Sequence, residues 1–305
     1  MNIIEKGLLE KITGLHEVPQ GAYNIRANGG LGGRNTTANI DIVSKEDKPG
    51  IDIIIKPNTK NESVHIPVVV SKSGLNDLVY NDFYIGENAD VVIVAGCGIH
   101  NNGDEKSSHD GIHSFHVGKN AKIKYVEKHY GDGDGLGERV MNPTTVIEID
   151  EGGYMEMETT QIKGIDSTVR VTNASLANDA KLVIKESLMT HGKQYAKTDF
   201  TVDLNGENSS ANVISRSVAK DESYQVFLSN INGNNKCAGH TECDAIIMDK
   251  ARVSAIPEIT ANHIDASLIH EAAIGKIAGE QLLKLMTLGL TEEEAEEQIV
   301  NGFLK

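Results

Sequence analysis

The stretch "CAGHTECD", residues 237–244, sets Cys237, His240 and Cys243 within seven positions of a chain that has only three cysteines. Thiolate and imidazole suit zinc or iron-sulfur clusters, and two-residue gaps let neighbouring side chains approach one ion. A fourth ligand is missing locally. Were "ECDAII" a strand, Cys243 and Ala245 would point one way and Asp244 and Ile246 the other. Convergence of all three then requires a turn at "AGH", which Gly239 permits. The spacing weighs equally for a metal site and for a buried structural Cys243 beside an unrelated exposed His240.

Four further candidates can be weighed the same way. "GCGIHNNGDEKSSHDGIHSFHVG" holds Cys97, His100, His109, His113 and His116. In an alternating strand His113 and His116 lie on opposite faces, so at most some of these groups cooperate, and a metal site is the minority reading. His270 and Glu271 open "HEAAIGKI"; on a helix, adjacent side chains diverge by about 100°, which suits two roles, although alone the pair reads as a solvated helix start. "GDGDGLGE" offers Asp132 and Asp134 without a third oxygen ligand or a correctly spaced glutamate, and reads as a turn. "ANGGLGGR", residues 27–34, lacks both a P-loop lysine-serine pair and GxGxxG spacing, and reads as a flexible loop.

The elements that position these residues follow from composition and period. Over 305 residues there are 30 glycines, 4% aromatics and no tryptophan, a mixture that favours short strands and turns. The formal charge of −15 and the lack of a basic stripe argue against a nucleic-acid partner. The longest apolar runs, such as "VVIVAG", are too short to span a bilayer, and the N-terminus carries acids unlike a signal peptide, so a soluble cytoplasmic protein with no membrane partner is expected. Three cysteines do not make a disulfide framework, which leaves reduced thiols.

Residues 1 to about 15 have a helical period through Ile3, Ile4, Leu8, Leu9 and Ile12. From Ala38 the chain alternates in short runs punctuated by Pro49, Gly50, Pro57, Asn58 and Gly74. A weak repeat then emerges, each unit a polar turn, a small residue and an alternating strand. The small residues are Ala89, Ala121, Gly153, Ala180 and Ser209, at intervals of 27 to 32. Units too small to bury their own apolar faces predict stacked coils of a β-solenoid; a β-sandwich with look-alike turns is the alternative. From Asp265 the chain reads as helical, with Gly289 at a helix end and Thr291 and Glu294 forming a capping box. Its apolar surplus suits a partner surface or, more simply, packing onto the solenoid's end. The expected division is an N-terminal helix and loop (1–37), a β-helix core (38–264) and a C-terminal helical segment (265–305).

"HTECDAII", the stretch "PEITANHIDASLIHEAAIGKIAGEQLLKLMTLGLTEEEAEEQIVNGF" and the "GCGIH" element resemble the SufB/SufD family of iron-sulfur cluster assembly proteins, most strongly over residues 237–303. The chain is similar to compact SufB-like members that pair with a SufC-like ATPase. The resemblance implies a mainly β fold, a right-handed parallel β-helix with a short N-terminal helix and a C-terminal helical segment that docks the ABC-type ATPase. It also implies a scaffold without enzymatic activity of its own, acting as a homodimer. Such a scaffold takes sulfur from a cysteine desulfurase or another donor, transiently holds an iron-sulfur cluster of the 4Fe-4S kind, and passes it to apo client proteins. By the same resemblance Cys243 holds the nascent cluster, Glu271 and His270 fall at positions implicated in SufB and SufD respectively, and Cys97 accepts sulfur. Cysteines that bacterial SufB carries after this point are here Val253 and Asn262, which makes Cys237 and His240 the added metal-ligand candidates. Thiolate character at Cys243 would draw on His240 or Lys236. A flavin fingerprint is absent. Two rival readings are a β-helix carbohydrate-active enzyme, for which the chain has few aromatics to line a sugar groove, and a zinc-stabilised interaction module.

Overall fold

The computed structural model describes residues 2–14 and 19–305. Met1 and Leu15, which the helical reading of residues 1 to 15 included, lie outside the described residues. Helix α1 spans Ile3–Thr13, closed at its start by an Asn2–Glu5 capping box.

Twenty strands follow among the described residues. They are β1 (Ala22–Ala27), β2 (Gly30–Asn35), β3 (Ile40–Ser44), β4 (Gly50–Ile55), β5 (Lys60–Val70), β6 (Asn76–Ile85), β7 (Asp90–His100), β8 (Ser107–Val117), β9 (Lys122–Asp132) and β10 (Arg139–Met141). The second half comprises β11 (Thr144–Ile149), β12 (Tyr154–Lys163), β13 (Ser167–Leu176), β14 (Lys181–Thr190), β15 (Tyr195–Leu204), β16 (Ser210–Ala219), β17 (Tyr224–Gly233), β18 (Cys237–Ile247), β19 (Arg252–Ala261) and β20 (Ala266–Gly275). Helices α2 (Gly279–Thr287) and α3 (Glu292–Phe303) end the chain.

From β4 to β20 the strands fall into two parallel sheets that the chain visits in turn, a β-solenoid of about 8 turns. One sheet runs β2-β1-β5-β7-β9-β12-β14-β16-β18-β20; the other runs from β19 to β3, with β10 and β11 sharing the place between β8 and β13. Apolar residues at period 2 fill the space between the sheets, including Phe83 stacked on Phe115 with centroids 4.3 Å apart.

The repeat seen in the sequence is the coil. Residues Asn58, Asn88, Asn120, Gly152, Asp179 and Asn208 adopt left-handed φ between 55° and 69°, a conformation that Asn, Asp and Gly reach most easily. Each donates its N–H to a carbonyl of the next coil at 2.7–3.0 Å. The small residue that follows each turn is buried at the head of its strand, and the series runs on past Ser209 to Cys237 and Ala266. Cys237 thus stands where the fold requires a small core residue.

The structure corrects three expectations. Residues 266–275 are strand β20, not helix: Ala266, Leu268, His270, Ala272 and Ile274 continue the inward row of β18, whose free backbone groups outweigh the helical propensity of an alanine-rich segment. "ANGGLGGR" is a hairpin rather than a flexible loop, because Asn28 and Gly29 both take positive φ (49° and 78°) between β1 and β2, as a two-residue turn requires. With β1 also paired to β5, the sheet begins before residue 38. Finally, the C-terminal helices do not cover the solenoid's end. Val300 and Leu304 pack on outward-facing Val218 and on Met189 and Ile246, along the flank, while β19 and β20 stay exposed.

Helix α1 lies across the outer face of β5, β7 and β9. It comes close because Gly96 and Gly98 have no side chain: a Cβ on either would stand 3.1 Å from Ile12 or Leu8. Gly98→Val should therefore push α1 away at a cost of about 1–3 kcal/mol, read as faster hydrogen exchange within 3–13 and a lower urea midpoint with the sheet signal retained.

Candidate functional site

Strand alternation sorts the "CAGHTECD" groups. β18 runs unbroken from Cys237 to Ile247, so Cys237, Gly239, Thr241, Cys243 and Ala245 face the interior while His240, Glu242 and Asp244 face outward. No turn forms at "AGH". Cys237 and Cys243 share a face but stand six residues apart, roughly 20 Å along a strand. The three-ligand site that the spacing left open is not formed; indeed, among the described residues no three His, Cys, Asp or Glu side chains converge as a metal site.

β20 divides the next pair in the same way. His270 is registered with Thr241, and Ala272 with Cys243, so His270 lies on the inner face one diagonal step from Cys243, roughly 8 Å between Cα atoms. Glu271 is registered with Glu242 on the outer face, where its carboxylate is 3.5 Å from His240 Nε2. Cys243 and His270 are thereby brought together, while His240 and Glu271 form a separate outer pair. The His270 Nδ1 and Thr241 Oγ1 atoms are buried without a hydrogen-bond partner, a costly condition that a ligated ion would relieve. Burial lowers the affinity of His270 for a proton, with His240 adding to the effect. At Cys243, burial, then Glu186 and Asp244, push the thiol up to about 12. His240, on the other face, does not activate it as expected. Bound iron would have to displace that proton itself.

Cys97 sits on β7 of the same sheet, five strands back from Cys243. It faces inward between Val68 of β5 and His129 of β9, with Gly96 and Gly98 turned toward α1. It is buried beside a cavity of about 20 Å³ whose lining includes His109, Gly111, His113, Glu127 and His129. Burial, reinforced by Asp77, Glu127 and Asp110, raises its thiol well above the ordinary value. The remaining histidines are structural contacts: His100 pairs with Asp132 at 2.6 Å, and His116 with Glu148 at 2.9 Å on the outer surface, opposite His113.

Between the two thiols the lumen is polar, a feature not anticipated from the sequence. Glu127, Thr159, Glu186, Ser215 and Cys243 occupy one inward row across β9, β12, β14, β16 and β18. Arg170 of β13 reaches across to Glu127 at 2.7 Å and Glu186 at 3.8 Å, and Ser215 donates to Glu186 at 2.7 Å. Burial alone would raise the Glu127 carboxyl, but His129 and Arg170 overcome it and hold Glu127 ionised. Tyr125 donates to Glu127 at 2.9 Å, so the His113 Nδ1 that meets Tyr125 at 2.8 Å must carry a hydrogen, and Asn81 faces its Nε2 at 3.3 Å. A legible signal existed: in "KIKYVEKHY" the residues in phase with Ile123 are Tyr125, Glu127 and His129, polar groups at core positions.

At its uncovered end the solenoid thus sets a buried thiol beside a half-buried imidazole, and a polar interior leads back to a second buried thiol. A family model described as "SUF system FeS cluster assembly, SufBD core domain" matches residues 79–303, and the chain belongs to that family. The chain is 31% identical over 255 residues (83% of its length, 79% of the relative's) to an iron-sulfur cluster assembly SufBD family protein of Methanocaldococcus jannaschii. It is 30% identical to relatives of the same description in Archaeoglobus fulgidus (85% and 69% covered) and Pyrococcus horikoshii (89% and 83% covered). Membership implies a role in iron-sulfur cluster assembly. No helix among the described residues is long and apolar enough to cross a membrane.

Two outcomes test this site. All three thiols should react slowly with Ellman's reagent at pH 7 in the native protein and promptly in denaturant. His113 is buried neutral, its pKa lowered by burial to about 4 from 6.5. The unfolded chain therefore binds the proton first, and stability, complete above about pH 6.5, falls toward pH 4 by on the order of 3 kcal/mol. His113→Asn should flatten that slope in urea titrations across the interval.

Proposed function

We propose that this protein is a scaffold on which an iron-sulfur cluster is assembled, held transiently and handed on, with Cys243 and His270 as its ligands to the cargo. The observation that carries the reading is the placement of these two side chains on one inner face at the uncovered end of the solenoid. One chain supplies one thiol and one imidazole there, whereas a cluster takes about four protein ligands. Two copies meeting end to end would supply two of each. The ends suit such pairing: β19 and β20 present unpaired backbone edges, and Ile256, Ile259 and Ile269 are exposed beside them. Imidazole nitrogen holds iron less firmly than thiolate sulfur, which favours release to apo client proteins.

Cys97 is the sulfur acceptor in this reading. It stands five strands from Cys243, roughly 24 Å across the sheet, so sulfur arrival and cluster growth are separated by the polar lumen. In transfer from a donor persulfide, the Cys97 thiolate attacks the outer sulfur and the donor thiolate leaves. Because Cys97 is buried and protonated, that step requires the surrounding coils to open. The donor is a cysteine desulfurase or another persulfide source. Energy for opening comes from a SufC-like ATPase, and α2 is its dock: no residue of α2 is buried, and Leu283 and Leu288 are 62% and 76% exposed with Met286 beside them. The chain itself catalyses neither ATP hydrolysis nor desulfuration, and works in the cytoplasm.

Anaerobic reconstitution with iron and sulfide, in the presence of the ATPase partner, tests the ligand set. Cys243→Ser and His270→Ala should each remove most of the visible chromophore, and light scattering should show a dimer. A chromophore that survives both changes, or that is lost with Glu271→Gln and retained with His270→Ala, would overturn the assignment.

A further inference from the structure

The opposite end of the solenoid carries a second site. Where the β1–β2 hairpin and the β3–β4 connection close over the first coils, they enclose a pocket of about 250 Å³. Its rim holds Arg26 and Arg34 from the hairpin and Lys45 and Lys48 from the connection; its floor is Ile51, Ile66, Val68 and Val79. No acidic residue lines it, in a chain with 44 acids and 29 bases. The glycine-rich "ANGGLGGR" segment contributes Gly30, Leu31 and Arg34 to the wall.

The four cations are not equivalent. Arg26 is forked onto buried Asp77 at 2.7 Å and 2.9 Å, and Lys45 bridges Asp52 and Asp82, so their charges are answered from behind the pocket. Arg34 is held only by neutral oxygens, Asn24 Oδ1 at 2.8 Å and the Ile42 carbonyl at 3.4 Å. Lys48 rests over the Tyr80 ring, 4.5 Å from its centroid. Among the described residues neither Arg34 nor Lys48 forms an ion pair, although Lys48 is near enough to Asp82 to help lower that carboxyl's pKa, after Lys45. Two guanidinium and two ammonium groups thus surround a concave, half-enclosed surface, and two of them, Arg34 and Lys48, have no ion pair to give up to an incoming group. Asn24 and Asn81, both buried, add amides to the wall.

We propose that this pocket binds a small organic phosphate, its phosphate held by Arg34 and Lys48 and its apolar body lying on Ile51, Ile66 and Val79. Guanidinium forks match phosphate oxygens, and a partly desolvated cation pair holds a dianion more strongly than the same pair in open water. The site is independent of the cargo ligands. It shares Ile66 and Val68 with the cavity beside Cys97, and Asn81 bonds His113 in that cavity. An occupant therefore touches the wall of the polar lumen.

Calorimetric titration of the full chain with phenyl phosphate and with inorganic phosphate tests this. Phenyl phosphate should bind, and bind the more tightly of the two, with affinity falling as salt rises. Arg34→Gln and Lys48→Gln should each weaken it roughly tenfold. Leu31→Asp, at an exposed rim position, should weaken it without lowering the melting temperature. Cys243→Ser should leave it unchanged, so this site can fail while the scaffold reading stands, and the reverse. No heat of binding, affinity indifferent to Arg34, Lys48 and Leu31, or equal affinity for the two phosphates would overturn the proposal.

Discussion

One guanidinium, that of Arg170, sets the terms for the interior of this solenoid. In-register parallel stacking carries every inward side chain into a row that crosses the whole sheet, so a charge placed inside cannot turn to water. Two carboxylates, Glu127 and Glu186, fall in one such row, and Arg170 reaches both from the facing sheet. A buried ion pair of this kind adds little net stability over an apolar equivalent, yet removing one member strands the others at several kcal/mol. The array is therefore poorly explained as a stabilising device. What distinguishes it is its position: it sets ionised and hydrogen-bonding groups, where an apolar core would be expected, in the interior between Cys97 and Cys243.

Much of this was legible in the chain. Ala89, Ala121, Gly153, Ala180 and Ser209 marked the coil correctly, and the structure extends the series to Cys237 and Ala266. That extension was hidden because Cys237 invited reading as a ligand, although one small buried residue per coil was what the repeat demanded. The tail was misread for a different reason. "ASLIHEAAIG" has both helical composition and a period of two, and only the waiting edge of β18 decides between them. Asn28-Gly29, a strong hairpin signal, was passed over inside a glycine-rich run.

For the site, the conditional argument about alternation held where it was applied: His113 and His116 do diverge, and Cys243 and His240 do as well. The same argument applied to a strand at 266–275 would have paired His270 with Cys243 and set Glu271 apart. Family resemblance pointed to both residues; side-chain phase distinguishes them. Thiol acidity was not legible at all, since it depends first on how deeply the fold buries each sulfur and then on carboxylates such as Glu127 and Glu186 that the coil brings near.

The coil is also a ruler. Because each turn advances the stack by one strand spacing, about 4.8 Å, the span from Cys97 to Cys243 is quantised by the number of turns between them. Losing or gaining one whole turn of this kind would reset that span while leaving both cysteines facing inward and the terminal edges unchanged. Distance and chemistry can thus vary separately in such an architecture, and chains of quite different length can keep the same two ends.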